Sequence, residues 1–254
     1  MNKKKIIIAL VAVSLIVVVA VLALLLYKSN QNGAGKTPGK ENGILPNLPE
    51  EISEITTLRV DDINNTTQAK NSYDDYVSRN FEEFPYLEKN GISDAFAPSD
   101  RNANLIPLEK FFGSVGASVN QKVKSIAGMN YYALFSCLNE NKQKEYGIVF
   151  DMSEADLSKT KENVANANEY MRQWEPFLLK DLHTILFPQA GFDENSLNQK
   201  LVFKDGKYRY ADIDLSSGKS SINYKIAGSP LNLIVVSTSP KCVEKAIFLF
   251  EGFD

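Results

Sequence analysis

Apolar and polar positions divide the chain into three regimes: one unbroken apolar run, one polar stretch without a period, and a long region that switches between strand and helix periods. The first is Ile6–Tyr27, IIIALVAVSLIVVVAVLALLLY, where Ser14 is the only clearly polar residue before the closing tyrosine. As a helix it measures ~33 Å, enough to cross the ~30 Å hydrocarbon core of a bilayer. The second is Lys28–Pro49, where Gly33, Gly35, Gly39 and Gly43 alternate with Pro38, Pro46 and Pro49. That composition predicts a flexible spacer with an r.m.s. reach of ~25 Å.

The third regime starts weakly. Tyr73, Tyr76, Val77 and Phe84 give an apolar face to a helix over about 73–84, with Asp74, Asp75, Glu82 and Glu83 outward, and Asn90-Gly91 marks a turn. Pro107 opens a short helix that buries Leu108, Phe111 and Phe112 and ends at Gly113 and Gly116; Val119–Ile126 forms a second. From Asn130 the pattern sharpens. Tyr131–Leu138 and Tyr146–Met152 are aromatic and β-branched runs around a polar loop, an antiparallel pair. Over Lys161–Phe187, Val164, Ala167, Met171, Trp174, Leu178, Leu182 and Ile185 recur at steps of three and four, an amphipathic helix that Pro176 kinks or splits.

Strands then return. Lys200–Lys204 and Lys207–Leu215 flank Asp205-Gly206, a hairpin turn; Ser217-Gly218 reverses the chain into Ser221–Ala227, and Gly228-Ser229-Pro230 into Leu231–Val236, the most apolar and central strand. Ser237-Thr238-Ser239-Pro240 caps a closing helix that buries Val243, Ala246, Ile247 and Phe250. The order predicts an α+β fold: an antiparallel meander sheet packed against helices on one side, preceded by an N-terminal transmembrane helix. The corresponding layout is a cytoplasmic tail over 1–5, an anchor over 6–27, a linker over 28–49 and one domain over 50–254.

Composition and charge sharpen the placement. Lys3, Lys4 and Lys5 precede the apolar run, as in a cleaved secretion signal, but the run exceeds the ~7–15 residues of a signal core and Leu24-Leu25-Leu26-Tyr27-Lys28 is a poor cleavage site. Lipidation needs a cysteine just after the run, and the cysteines are Cys137 and Cys242. The dense lysines on the short side favour a cytoplasmic N-terminus, so the lipid bilayer is met through residues 6–27 and the body lies outside the cytoplasm. Of 28 basic and 31 acidic residues, the first 43 positions hold six lysines and Glu41, leaving 22 basic against 30 acidic in the remainder. Such a body repels phosphate backbones, so no nucleic acid is expected as a partner.

Several short pieces also carry a resemblance. Leu108-Glu109-Lys110-Phe111-Phe112, Trp174-Glu175 with Asp181-Leu182, Phe203-Lys204-Asp205, Tyr208-Arg209-Tyr210, and Tyr224 before Leu233–Ser239 resemble uncharacterised single-pass, membrane-anchored envelope proteins of small-genome bacteria, over about residues 105–250. The resemblance implies an anchor, a linker and one α+β domain, and brings no catalytic residue with it.

Catalytic chemistry has few candidates. A sortase-like cysteine transpeptidase would use Cys242, at the start of the closing helix where its thiol pKa would fall, and His183, the sole histidine, but no arginine follows Arg209 to steady an oxyanion. A serine triad lacks G-x-S-x-G. One histidine and two distant cysteines do not close a zinc site. Asp212-Ile213-Asp214 starts like a calcium loop but lacks the sixth-position glycine and has Asn223 at the twelfth; on a strand both carboxylates share one face and meet water. No phosphate loop or dinucleotide motif exists. Cys137 and Cys242 either pair or leave Cys137 a buried thiol. Trp174 reads as core, while Tyr208 and Tyr210 share the face of Asp212 and Asp214 and read as exposed. The expectation is a non-enzymatic binding or envelope-assembly protein with a protein partner, no cofactor and no catalytic or metal residues; the alternative is the transpeptidase.

Overall fold

The computed structural model describes residues 56–59, 66–78, 94–99, 105–127, 132–139, 143–154, 156–190, 192, 194–216 and 218–251. The chain divides into two units, Met1–Glu41 and Asn42–Asp254, and every described residue belongs to the second. The tail over 1–5, the anchor over 6–27, the linker over 28–49 and the Asn90-Gly91 turn lie outside the described residues. Among those described, no helix is long and apolar enough to cross a membrane.

Strand β1 (Thr56–Arg59), helix α1 (Thr66–Ser78) and strand β2 (Asp94–Ser99) come first. Helix α1 buries Ala69, Tyr73 and Val77, spaced four apart, and points Asp74 and Asp75 outward. It therefore buries Tyr73 and Val77 as expected but starts two turns earlier than the expected 73–84 span, of which Glu82, Glu83 and Phe84 lie outside the described residues. Pro107 precedes α2 (Leu108–Ser114), which runs through Gly113; Gly116, at φ 73°, makes the left-handed turn that a side chain resists. Helix α3 (Gln121–Ile126) is capped by Asn120, whose side chain accepts from Lys122 N.

The hairpin β3 (Tyr132–Leu138) and β4 (Lys144–Asp151) follows, then α4 (Leu157–Trp174), a 3₁₀ turn over Glu175–Phe177, and α5 (Leu178–Leu186). Pro176 sits at the break, as its missing N–H and ring demand. After the short α6 (Glu194–Leu197) come β5 (Arg209–Leu215), β6 (Gly218–Ala227), β7 (Leu233–Ser237) and α7 (Pro240–Glu251).

Seven strands among the described residues form one sheet in the order β1-β2-β3-β4-β7-β6-β5. The five from β3 to β5 are antiparallel throughout, and β1 with β2 adds a parallel pair at the edge. The fold class is thus α+β, although a plain meander holds only for β5-β6-β7, because β7 returns to pair with β4. Helices cover both faces rather than one. Alternate residues of the strands, such as Leu134, Ile148, Phe150, Tyr224 and Ile234, pack against α1 to α5; the intervening ones, Phe135, Cys137, Val149 and Val235, pack against α7. The reason lies in β7 itself, LIVVS, which is buried at every position and needs apolar cover above and below.

The larger core is aromatic. Phe112 meets Tyr132 edge-on at 5.9 Å, and Phe150 meets Trp174 at 6.3 Å, with the tryptophan fully buried as expected. Tyr132 donates its hydroxyl to Ile106 O at 3.0 Å, so the buried ring leaves no orphaned polar atom.

The expected strand Lys200–Lys204 shrinks to a single antiparallel bridge, Lys204 to Tyr210. Leu201 is buried and Phe203 packs on Tyr224 at 5.9 Å, so the larger core draws this segment under the sheet after one bridge. Tyr208, expected to be exposed, is only 9% exposed because it packs in the α7 core, with Lys207 and Lys225 ammonium groups over its ring.

Candidate functional site

Five strand ends meet at one end of the sheet. Leu138 pairs with Lys144 across β3 and β4, Leu215 with Gly218 across β5 and β6, and Ser237 closes β7. Between these ends, the C-terminus of α1 and the chain at Leu186–Ala190 lies a groove of about 670 Å³. Lys144, Tyr146, Gln189, Lys219, Ser220 and Thr238 are among its polar lining.

Hydrogen bonds fix its back wall. Ser237 Oγ donates to Tyr146 O at 2.8 Å, and Thr238 Oγ1 accepts from Tyr146 N at 3.2 Å, so the hydroxyls expected to cap a helix instead seal β4 to β7. Ser239 keeps the capping role, its Oγ accepting from Cys242 N at 3.2 Å. Lys144 Nζ donates to Val77 O at 2.9 Å, placing a positive charge on the carbonyl end of α1. Burial pushes the Tyr146 hydroxyl up to about 12, so it stays a neutral donor. Among the described lining residues the one carboxylate is Glu145, and no histidine or cysteine is present; a nucleophile with its base is not assembled here. What the groove offers is polar, open surface.

His183 sits elsewhere, lining a cavity of about 240 Å³ with Lys70, Tyr73, Thr184 and Phe192. Its Nδ1 lies 2.9 Å from Lys180 O, an arrangement that puts the ring proton on that nitrogen, and Phe192 packs edge-on at 5.8 Å. Cys242 is on the opposite face of the sheet, fully buried and disulfide-bonded to Cys137 with Cα atoms 5.9 Å apart. The structure therefore separates the two groups of the transpeptidase reading and removes its free thiol, since α5 packs on one face and α7 on the other.

A polar cluster that the sequence reading missed joins the helix break to the sheet. Arg209 forks onto both oxygens of Glu175, with Nη2 to Oε2 at 3.0 Å, and reaches Asp205 at 2.7 Å; Tyr224 donates to Glu175 Oε1 at 2.7 Å. The bond to Glu175 holds the guanidinium further up its already high range, and burial raises the Tyr224 hydroxyl. Its signal was present in the strand period, which puts Arg209 on the face of Ala211 and Ile213, where a charge needs a partner. With each of its three nitrogens donating to Glu175 or Asp205, Arg209 acts as a clasp.

Asp212 and Asp214 face solvent, as expected, with Lys204 Nζ 2.7 Å from Asp212. Among the described residues no three His, Cys, Asp or Glu side chains are placed to hold a metal ion. No protein family, curated protein or solved structure matches this chain.

Proposed function

We propose that the chain is a single-pass membrane protein, anchored through residues 6–27 with its N-terminus in the cytoplasm, whose acidic α+β domain binds a protein partner non-covalently in the cell envelope. The observation that carries this reading is the buried disulfide between Cys137 and Cys242, because such bonds persist outside the reducing cytoplasm. The groove at the sheet end supports binding: its walls are held by Ser237, Thr238 and Tyr146, and its polar groups are open to a partner. The anchor rests on the apolar length of Ile6–Tyr27.

Thiol accessibility in the native membrane tests it. With a maleimide polymer applied to freshly lysed cells, both cysteines stay unlabelled until denaturation with a reductant, and protease added outside intact cells degrades the body. Free thiols in denatured, unreduced protein, or a body untouched by external protease, overturn the placement.

A further inference from the structure

We infer that the outer edge of β5 is a strand-addition site for an extended partner segment carrying basic side chains at alternate positions. The inference rests on the binding reading above and names its surface and partner chemistry.

Strand β5 ends the sheet, pairing with β6 on its inner side only. Its outer side is already used once: Lys204 N donates to Tyr210 O at 2.7 Å and Tyr210 N donates to Lys204 O at 3.1 Å. Tyr210 therefore turns its backbone groups outward. By the alternation of an antiparallel pair, Asp212 and Asp214 do the same. The segment before Lys204 leaves the edge at that point because Leu201 and Phe203 pack into the larger core. Among the described residues, nothing else pairs with the outward N–H and C=O groups of Asp212 and Asp214. Such a row templates another strand.

Charge selects the occupant. Asp212 and Asp214 project to one face and are exposed; Asp214 makes no ion pair within 4 Å among the described residues, its cross-strand neighbour on β6 being the exposed Lys219. A second copy laid antiparallel along this edge would set carboxylate against carboxylate, which opposes self-pairing. A strand with lysine or arginine at every second position matches both acids. Lys204 shows the contact such a residue makes, since its ammonium reaches Asp212 from the neighbouring chain segment. That pair is 52% and 65% exposed, so it is weak and a competing cation displaces it at little cost. Strand β5 ends at Leu215 in the wall of the groove, so a strand on its edge leads into the same site.

The test uses the full chain in lipid nanodiscs and a short fluorescent peptide alternating lysine and valine. We expect binding that weakens roughly tenfold or more when one edge of the peptide is N-methylated, and similarly when the same residues are rearranged into a lysine block. Asp214→Pro removes one outward N–H while leaving the β6 ladder intact, and loses binding by about the same factor. The pair Asp212→Asn with Asp214→Asn weakens binding and flattens its salt dependence. Equal affinity for the methylated peptide, or full affinity in Asp214→Pro at unchanged melting temperature, overturns the proposal. Photo-crosslinking residues in native membranes separate the two readings. Crosslinks from position 220 without any from 214 sink the edge proposal alone; none from either sinks both.

Discussion

Trp174 Nε1 donates to Asp181 Oδ2 at 2.6 Å across the helix break at Pro176. The same carboxylate accepts Ser118 Oγ at 2.7 Å, and the Asp181 carbonyl accepts Ser118 N at 2.9 Å. One side chain thus fixes the angle between α4 and α5, and ties both to the loop before α3. Trp174 is fully buried, so removing its acceptor strands a donor away from water. Asp181→Ala should cost about 1–3 kcal/mol in urea unfolding. Asp181→Asn, which keeps an acceptor, should cost less. A loss no larger than that of the exposed control Asp75→Ala would show that the clasp carries no stability.

The disulfide joins β3 to α7 across 105 residues of chain. Closing so long a loop restricts the unfolded state by about 4–5 kcal/mol in the chain-entropy account. Reduction, or Cys137→Ser with Cys242→Ser, should lower the urea midpoint strongly and steepen the slope, because the unlinked unfolded chain expands and exposes more surface. Partner binding by whatever fraction remains folded should be unaffected, because the bond sits on the α7 face and the groove at the sheet end. Abolition of binding in the folded fraction of a Cys242→Ala variant would instead show that the α7 face supports the groove, where Cys242 Sγ lies 3.8 Å from Glu145 O.

Asp151 is 1% exposed, on the α7 side of β4, and its carboxylate Oδ1 accepts from Ser153 N at 2.8 Å. Burial raises its pKa, with the bond from Ser153 N opposing the rise and the neighbouring Glu154 adding to it. A folded pKa above the unfolded value of about 3.9 means that the native state holds this proton more tightly. Its stabilising effect is complete below the unfolded pKa and is lost as pH rises through the folded one. Asp151→Asn keeps the acceptor and removes the charge, so it should stabilise the domain near neutral pH and lose that advantage by about pH 3. Denaturation curves of both proteins over this range measure the difference; an advantage that persists undiminished at low pH would remove Asp151 titration as its cause.

How much of this was legible depends on whether a segment's burial is local or set by distant packing. The break at Pro176, the buried Trp174 and the β3–β4 hairpin follow from residues a few positions apart, and they stand where periodicity puts them. Strands β1 and β2 were not legible: they are short, β2 contains Pro98, and pairing of β2 with β3 and of β1 with β2 carries them rather than their own pattern. The shift of α1 shows the same limit, since Ala69, one step before Tyr73 and Val77, is a weak signal by itself. The two-sided sheet could have been read from LIVVS in β7, whose unbroken apolar run leaves no face for water. In the site, the exposed Asp212 and Asp214 came from alternation. Pairing of Cys137 with Cys242 did not, because it requires knowing that α7 crosses the far face.

Gly147 stands directly opposite Phe135 in the β3–β4 register, and a Cβ on the glycine would overlap the end of the phenylalanine ring. The ring lies over the glycine, an arrangement that compensates a strand glycine for its missing side chain. Phe135 is 3% exposed, among Cys137, Val149 and Val235, so it has no open space to move into. Alanine has the better strand propensity, yet here the clash must dominate: Gly147→Ala should destabilise by roughly 1–3 kcal/mol through overpacking. Adding Phe135→Leu, which shortens the group that clashes, should recover part of that loss, giving a double-mutant coupling of about 0.5 kcal/mol or more. Strict additivity of the two changes would mean that the ring yields freely, and that the α7 face is packed more loosely than its burial implies.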